Sequence, residues 1–347
     1  MFSRFERRKE LVEVDFGKKD YVFASSRVRS VEKYLLSRDK VEAMMDSKTP
    51  EDALKILYDI EYGDGSDTLP PSQFETLLKE EIRKVYSFVR GIAPDEAELY
   101  PFLYPYDYHN LKVLLKAEFL NIDPQPFLVD TGTIPAARMT VLVRERNFVG
   151  LTDKMRNGIL EVVDVYSRTK DPQLIDFILD KACYEEMLES AKAGGSQFIV
   201  DYVRLQIDII NLKTFVRCRQ MGKSWDFFSQ VFIDGGRIQE KIFTGSYDEP
   251  YEQFAEKLIP YGLAVPMSEG GTMLRETGSF TALERLCDNR LVEFAKAAKH
   301  VTFGVEPLAA YLIAKEAEIR TVRIIMTGLL QNLSREEIAQ RVRETYA

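Results

Sequence analysis

A short sequence signature occurs twice in this chain, with the copies about a hundred residues apart. Both copies read D-x-x-N-L-K, once at 107–112 and once at 208–213. A second motif, D-x-G-x-I, follows each copy in the same order, at 130–134 and at 234–238. Two motifs that recur in one order and at nearly one offset indicate a duplicated structural unit. A chain built from copies of one module is more typical of a scaffold than of an enzyme with a single pocket.

A more diverged third copy lies towards the end of the sequence. Glu318-Ile319-Arg320 replaces Asn-Leu-Lys, Lys315 stands where the leading acid would be, and no D-x-G-x-I motif follows. We expect this copy to open a helix that runs over 318–330. The signature residues of the three copies are Asp107, Asn110, Leu111, Lys112, Asp208, Asn211, Leu212, Lys213, Glu318, Ile319 and Arg320.

The repeats predict the domain organisation. At 347 residues the chain exceeds one ordinary domain and suits two or three units with separate cores. Boundaries placed after each D-x-G-x-I motif give units of 1–135, 136–240 and 241–347. We therefore expect three pseudo-repeated helical domains.

Hydrophobic spacing predicts an all-α fold. Segments 24–46 and 71–90 carry apolar residues at helical intervals. Thr49 and Pro50 are typical of a helix start, with Thr49 as the N-cap. Ser334-Arg-Glu-Glu337 has the pattern of a capping box, in which the serine and the glutamate bond to each other's backbone N–H groups.

Two segments are predicted to depart from the helical pattern. Residues 138–144 (RMTVLVR) alternate in a way that favours a short strand. Residues 262–279 are rich in glycine, serine and threonine, which favours a long loop, with Gly270-Gly271 read as a turn.

The geometry of the second signature helix predicts what its polar residues do. One apolar stripe at helical spacing contains Leu205, Ile209, Leu212 and Val216. Asp208 and Asn211 are neighbours on the adjoining face. We expect Leu212 to pack inside while Asp208 and Asn211 bond to a neighbouring element.

Composition excludes several classes of function. The formal net charge of −8 argues against nucleic acid as a main partner, because that normally requires a basic face. Cys183, Cys218 and Cys287 form no CxxC pair, which fits a reducing compartment. The opening residues MFSRFERRKE lack the apolar core of a signal peptide, and no window is apolar enough to cross a bilayer. We therefore expect a cytoplasmic protein without a membrane span.

No catalytic, cofactor-binding or metal site is predicted. Met221-Gly222-Lys223-Ser224 ends like a phosphate loop, but Arg217 replaces its first glycine, so Gly222 is read as a helix C-cap. His109 and His300 are in different repeats, and an isoleucine replaces the imidazole in the second copy. The aspartate-rich motif of helical magnesium enzymes is absent as well.

The ordered set of motifs resembles the C subunit of the V-type (archaeal and bacterial A/V-type) ATPases, a family related to the eukaryotic d subunit. The resemblance runs essentially from end to end. It is carried by the segments at 24–36, 104–112, 208–219, 232–236 and 318–320.

The resemblance implies a funnel of three similar helical domains that has no membrane span of its own. In this family the protein caps the cytoplasmic face of the membrane rotor ring and receives the end of the central shaft. The implied partners are therefore the shaft subunits and the proteolipid subunits of the ring. The implied role is non-catalytic: torque passes between the ATP-hydrolysing head and the ring that carries protons or sodium ions.

Two other classes stay open at the level of sequence. A helical adapter of an unrelated assembly would not copurify with shaft or ring subunits. A helical enzyme would show turnover as an isolated chain.

Overall fold

A computed structural model of the chain describes residues 21–63 and 69–347, and it confirms the all-α prediction. Within these residues the one β contact is an isolated bridge between Val149 and Leu151. The α-helices, in chain order, are α1 Val22–Val31, α2 Arg38–Met45, α3 Pro50–Tyr58, α4 Phe74–Ile92, α5 Tyr100–Leu120, α6 Ala136–Arg144, α7 Asp153–Thr169, α8 Gln173–Gly194, α9 Gln197–Gln220, α10 Trp225–Val231, α11 Glu240–Thr244, α12 Tyr251–Lys257, α13 Ala264–Thr277, α14 Thr281–Lys296, α15 Val305–Leu330 and α16 Arg335–Ala339. The opening ten residues, where no signal peptide is expected, lie outside the described ranges.

Local capping chemistry sets several helix ends as the sequence predicts. The Thr49 side chain accepts a hydrogen bond from the Asp52 N–H, and Pro50 is the first residue of α3. Both bonds of the capping box between Ser334 and Glu337 are present at the start of α16. Gly222, two residues beyond the end of α9, has a left-handed conformation (φ 64°), so its predicted role in ending the helix is confirmed.

The strand prediction for 138–144 was wrong, because this segment forms most of α6. The alternating valines favour a strand locally. In the folded chain, however, Met139, Leu142 and Val143 are all buried, and their spacing of three and four residues is that of one helix face. Tertiary packing has overridden the local preference.

The loop prediction for 262–279 was also wrong, because most of the segment is α13. Its glycines are points of close helix contact, not turns. A Cβ atom on Gly270 would lie 2.6 Å from the Cα of Leu283, and one on Gly271 would lie 2.9 Å from the Cβ of Tyr251. These residues let α13 pack tightly against α14 and α12.

Two helical segments have different bounds in the structure from those predicted. The segment 24–46 is divided into α1 and α2 by a short 3₁₀ turn and an extended Leu35. The third signature copy does not open its helix at Glu318, because α15 begins at Val305. This helix is buried on nearly every side, so its sequence shows little of the amphipathic contrast that would mark its true start.

The signature helices pack in a cyclic order. Helix α5 lies against α8, which precedes α9; α9 lies against α14, which precedes α15; and α15 lies against α4, which precedes α5. The main hydrophobic core therefore includes α15 together with the helices nearest the start of the chain. A second core, built from α9 to α14, contains a cluster of phenylalanine rings around Phe215.

Candidate functional site

The first signature joins α5 to its following D-x-G-x-I segment through a set of hydrogen bonds that we call a clasp. The Asn110 amide donates to the Val129 carbonyl (2.7 Å) and accepts from the Val129 N–H (2.9 Å). The Asp107 carboxylate accepts from the Thr133 N–H (2.9 Å), the Thr133 hydroxyl (2.6 Å) and the Ile134 N–H (3.1 Å). Asp107 and Asn110 are both fully buried, so these bonds satisfy polar groups that water does not reach.

The second signature makes a matching clasp between α9 and its own D-x-G-x-I segment. The Asn211 amide donates to the Ile233 carbonyl (2.8 Å) and accepts from the Ile233 N–H (3.0 Å). The Asp208 carboxylate accepts from the Ile238 N–H (2.9 Å) and from the Arg237 guanidinium (3.4 Å). The two motifs found in the sequence are thus the two halves of one contact.

The glycine of the D-x-G-x-I motif is required by the close approach of the aspartate. A Cβ atom on Gly132 would lie 2.1 Å from the Asp107 Oδ1, and one on Gly236 would lie 2.3 Å from the Asp208 Oδ1. Only a residue without a side chain leaves space for the carboxylate to reach the backbone N–H groups.

Burial dominates the ionisation of both clasp aspartates. Desolvation raises the pKa of Asp107 above its usual value, although the bonds from Thr133 and Ile134 act in the opposite direction. The pKa of Asp208 is raised for the same reason, against the effects of Ile238 and Arg237. The residues in these two sites therefore hold a folded geometry at some electrostatic cost.

The remaining signature residues face the core and a neighbouring helix. Leu111 and Leu212 have no exposed surface. The Lys112 ammonium lies 2.5 Å from Asp180 on α8, and the Lys213 ammonium lies 3.0 Å from Asp288 on α14. Each signature therefore links one helix to both its own downstream segment and the helix that precedes the next signature.

The third copy makes a clasp of different chemistry with the start of the described chain. The Glu318 carboxylate accepts from the Leu36 backbone N–H (2.5 Å) and from the Tyr62 hydroxyl (2.5 Å). The Lys315 ammonium is 2.8 Å from Glu318 and 2.8 Å from Glu81 on α4. The Lys315 side chain is only 3% exposed, and its pKa is raised because the two carboxylates outweigh the effect of burial.

Arg320 and Asp288 connect the second and third signatures. The buried Asp288 carboxylate lies 3.0 Å from Lys213, 3.4 Å from Arg320 and 3.0 Å from Arg343. Burial alone would raise its pKa, but these three cations together lower it. Ile319, between Glu318 and Arg320, is buried in the main core.

Sequence reasoning missed the partners of the third clasp. Leu36 contributes only a backbone N–H, which leaves no signature in the sequence. Glu81 and Tyr62 are far from 318 along the chain, and Glu81 resembles the solvated glutamates beside it. The lysine that stands in place of the aspartate was a signal in the sequence. If such a lysine is buried, it requires nearby carboxylates.

His109 and the three cysteines, residue types that catalytic centres often use, are bonded or buried. His109 bonds to the carbonyl of Phe127 (3.0 Å). The three cysteine thiols are buried, and burial raises the pKa of each. Across residues 21–63 and 69–347, no group of three histidine, cysteine or acidic side chains is placed to hold a metal ion. Over the same ranges, no helix has the length and apolar character to cross a membrane.

Comparison with known proteins gives one consistent result. A family model described as ATP synthase (C/AC39) subunit matches residues 24–341. The C subunit of the V-type sodium ATPase of Enterococcus hirae is 25% identical over 323 residues, which cover 92% of this chain and 97% of that protein.

Two archaeal proteins show the same extended similarity. The C subunit of the A-type ATP synthase of Methanocaldococcus jannaschii is 24% identical over 342 residues, covering 92% of this chain and 85% of that protein. The C subunit of the A-type ATP synthase of Methanococcoides burtonii is 22% identical over 362 residues, covering 99% of each. The family resemblance seen in the repeated motifs is confirmed. The chain belongs to the ATP synthase (C/AC39) subunit family.

Proposed function

We propose that this chain is a non-catalytic central-stalk subunit of a rotary V-type or A-type ATPase. It links the central shaft to the membrane rotor ring and transmits torque for proton or sodium transport. The observation that carries the proposal is the family match over 24–341, together with relatives that are named as the C subunits of such complexes. Its partners are the shaft subunits and the proteolipid ring subunits. It lies in the cytoplasm, attached to the membrane through the ring.

The proposal includes three domains, 1–135, 136–240 and 241–347, in a funnel-like arrangement. The matching clasps of the first two signatures support equivalent units. The packing of α15 against α1 and α4 brings helices from the start of the chain to the third unit. A cyclic order of contacts suits a part that must carry load around a central axis.

The signature residues act in this proposal as internal supports, and partners meet the surface. Torque transfer needs a body that deforms little, and close-packed helices with fixed backbone contacts meet that need. The burial of Asp107, Asn110, Asp208 and Asn211 supports this role, because a partner could not reach them without unfolding the clasps.

The experiment is a pull-down from native membranes with the tagged full chain. We expect shaft and ring subunits among the recovered proteins, identified by mass spectrometry. We also expect no ATP hydrolysis by the isolated chain.

Either of two results would contradict the proposal. Reproducible recovery of another assembly, without shaft or ring subunits, would make the chain an adapter elsewhere. Turnover by the purified chain alone would make it an enzyme.

A further inference from the structure

Residues 343–347 form no helix and cross from α14 towards the short 3₁₀ turn that follows α1; we call this segment the strap. Its first anchor is Arg343, whose guanidinium lies 3.0 Å from the buried Asp288 carboxylate on α14. Next to it, the Glu344 backbone N–H donates to the Asn289 side chain at 2.9 Å. One end of the strap is therefore fixed to α14.

The second anchor of the strap is the ring of Tyr346. Tyr346 is only 5% exposed, and its hydroxyl donates to the Glu32 carboxylate in the 3₁₀ turn at 3.4 Å. The Lys299 ammonium lies 4.6 Å from the centre of the same ring, which is a cation–π contact. A buried aromatic side chain contributes a large apolar area to holding such a segment in place. The strap therefore joins α14 to the residues that precede α2.

The strap covers the third clasp. A small cavity lies between them, and its lining includes Leu35, Leu36 and Glu318 on one side and residues 344–347 on the other. The volume of this cavity is about 10 Å³, which holds at most one water molecule. The seated strap therefore keeps bulk water away from the hydrogen bond between the Leu36 N–H and the Glu318 carboxylate.

Few bonds hold the strap apart from its anchors. Among the described residues, no backbone–backbone hydrogen bond involves 343–347. A segment held in this way opens at a lower free-energy cost than the helices beneath it. Its departure leaves no buried charge unpaired at α14, because Asp288 keeps Lys213 (3.0 Å) and Arg320 (3.4 Å) as partners. The strap can therefore detach while the helices stay folded.

We propose that the strap opens and closes as one piece over the third clasp. When it is seated, water is excluded from Glu318 and the third clasp is fixed. When it is released, water reaches the Glu318 carboxylate and the Leu36 N–H, and the join between α15 and the residues before α2 loosens. The first two clasps are formed by other segments and stay closed in both states. The proposal concerns the chain by itself and does not depend on the proposed function.

Amide hydrogen exchange of the full chain, measured by mass spectrometry, tests the proposal. Tyr346→Ala removes the buried anchor, and we expect the Leu36 amide to exchange at least about tenfold faster. The amides of Val129 and Ile233 in the other clasps should exchange as before. Tyr346→Phe keeps the ring and should leave exchange close to that of the unmodified chain. The matched control is Tyr247→Ala, which removes a tyrosine of similar burial (9% exposed) from the second core and should leave Leu36 exchange unchanged.

Arg343→Gln tests whether the strap moves as one piece, because Arg343 is at the other anchor and does not border the cavity. We expect this change to accelerate exchange of the Leu36 amide as well. No acceleration in either variant would mean that the strap does not protect the third clasp. Acceleration in Tyr346→Ala alone would mean that the two anchors act separately, and acceleration at all three clasps would mean that the whole chain unfolds. Each of these results would overturn the proposal.

Discussion

Each clasp fixes a signature helix to another backbone segment. The first two use a buried aspartate and asparagine, whereas the third uses a buried lysine and glutamate. In the first two, a buried aspartate and asparagine bind the backbone of a segment that follows in sequence. In the third, Lys315 and Glu318 occupy the equivalent positions, and the backbone N–H comes from Leu36 near the start of the described chain.

The difference follows from what is within reach of each signature helix. No D-x-G-x-I segment follows α15 in the sequence, so the third clasp holds elements that are distant along the chain. The Glu318 carboxylate contacts the Leu36 N–H, the Tyr62 hydroxyl and Lys315, and Lys315 also pairs with Glu81. A network of ion pairs and hydrogen bonds joins these elements, whereas in each of the other clasps the signature helix supplies one carboxylate and one amide. We therefore expect the third clasp to be the most sensitive to loss of a single group.

Lys315→Met gives the largest expected effect. The change leaves Glu81 and Glu318 buried without their shared cation, and breaking such a pair costs about 3–5 kcal/mol. The free energy of unfolding, measured by urea titration, should fall by that amount. The control is Lys112→Met, whose partner Asp180 is partly exposed, and there the loss should stay below about 1 kcal/mol. Equal losses for the two variants would mean that the third clasp is no more sensitive to the loss of one group than the Lys112–Asp180 ion pair is.

Asn211→Ala and Asn110→Ala test whether the first two clasps are equivalent. Each change strips both bonds from a backbone N–H and C=O pair, and two unsatisfied groups cost roughly 2–4 kcal/mol in total. The melting temperatures of the two variants should fall by similar amounts, more than partner recovery falls in the membrane pull-down. Asn211→Asp keeps the acceptor for the Ile233 N–H but turns a second carboxylate oxygen towards the Ile233 carbonyl, so it should cost at least as much as Asn211→Ala. An unchanged melting temperature with lost ring binding would overturn the supporting role.

Gly236→Ala tests the close approach that the clasp requires. The added Cβ would lie 2.3 Å from the Asp208 Oδ1. Overpacking of this kind costs about 1–3 kcal/mol, again read from urea unfolding. Gly91→Ala is the matched control, since a Cβ there meets nothing within 4 Å and α4 favours alanine. In an Asp208→Ala background, Gly236→Ala should lower the free energy of unfolding by less, because the clashing carboxylate is gone. An unchanged loss would mean that Gly236 is needed for its backbone conformation alone.

Much of the fold could be predicted from the sequence because its signals are local. Helix starts at Thr49 and Ser334 depend on side chains within one turn, and both predictions are confirmed. The repeated motifs contain the aspartates and asparagines whose side chains form two of the clasps. Their hydrogen-bond partners needed the structure, because Val129 and Ile233 take part only through their backbone.

The failures share a physical cause. Alternating valines in 138–144 and glycines in 262–279 carry strand and loop preferences that long-range packing overrides. The third clasp joins Leu36 to Glu318, and no local pattern can report a contact over that separation. Likewise, the Arg285 Nε atom, which is buried without a hydrogen-bond partner among the described residues, could be recognised only in the structure.

The pH dependence of stability separates the clasp aspartates from Asp288 and gives the smallest expected effect. The pKa of Asp208 is raised in the folded state, mainly by burial, so its contribution is present below the usual value of 3.8 and is lost as the pH rises through the folded pKa. The pKa of Asp288 is lowered by Lys213, Arg320 and Arg343 against the effect of burial. Its contribution is therefore present above 3.8 and is lost as the pH falls further.

Urea unfolding of the unmodified chain, Asp208→Asn and Asp288→Asn between pH 7 and pH 3 measures this contrast. As the pH falls, the advantage of the unmodified chain over Asp208→Asn should grow, because protonation removes the cost of a buried charge. Its advantage over Asp288→Asn should shrink, because protonation ends the attraction to three cations. Parallel pH profiles for the two variants would contradict this prediction. They would mean that the pKa values of Asp208 and Asp288 are shifted in the same direction despite their different contacts.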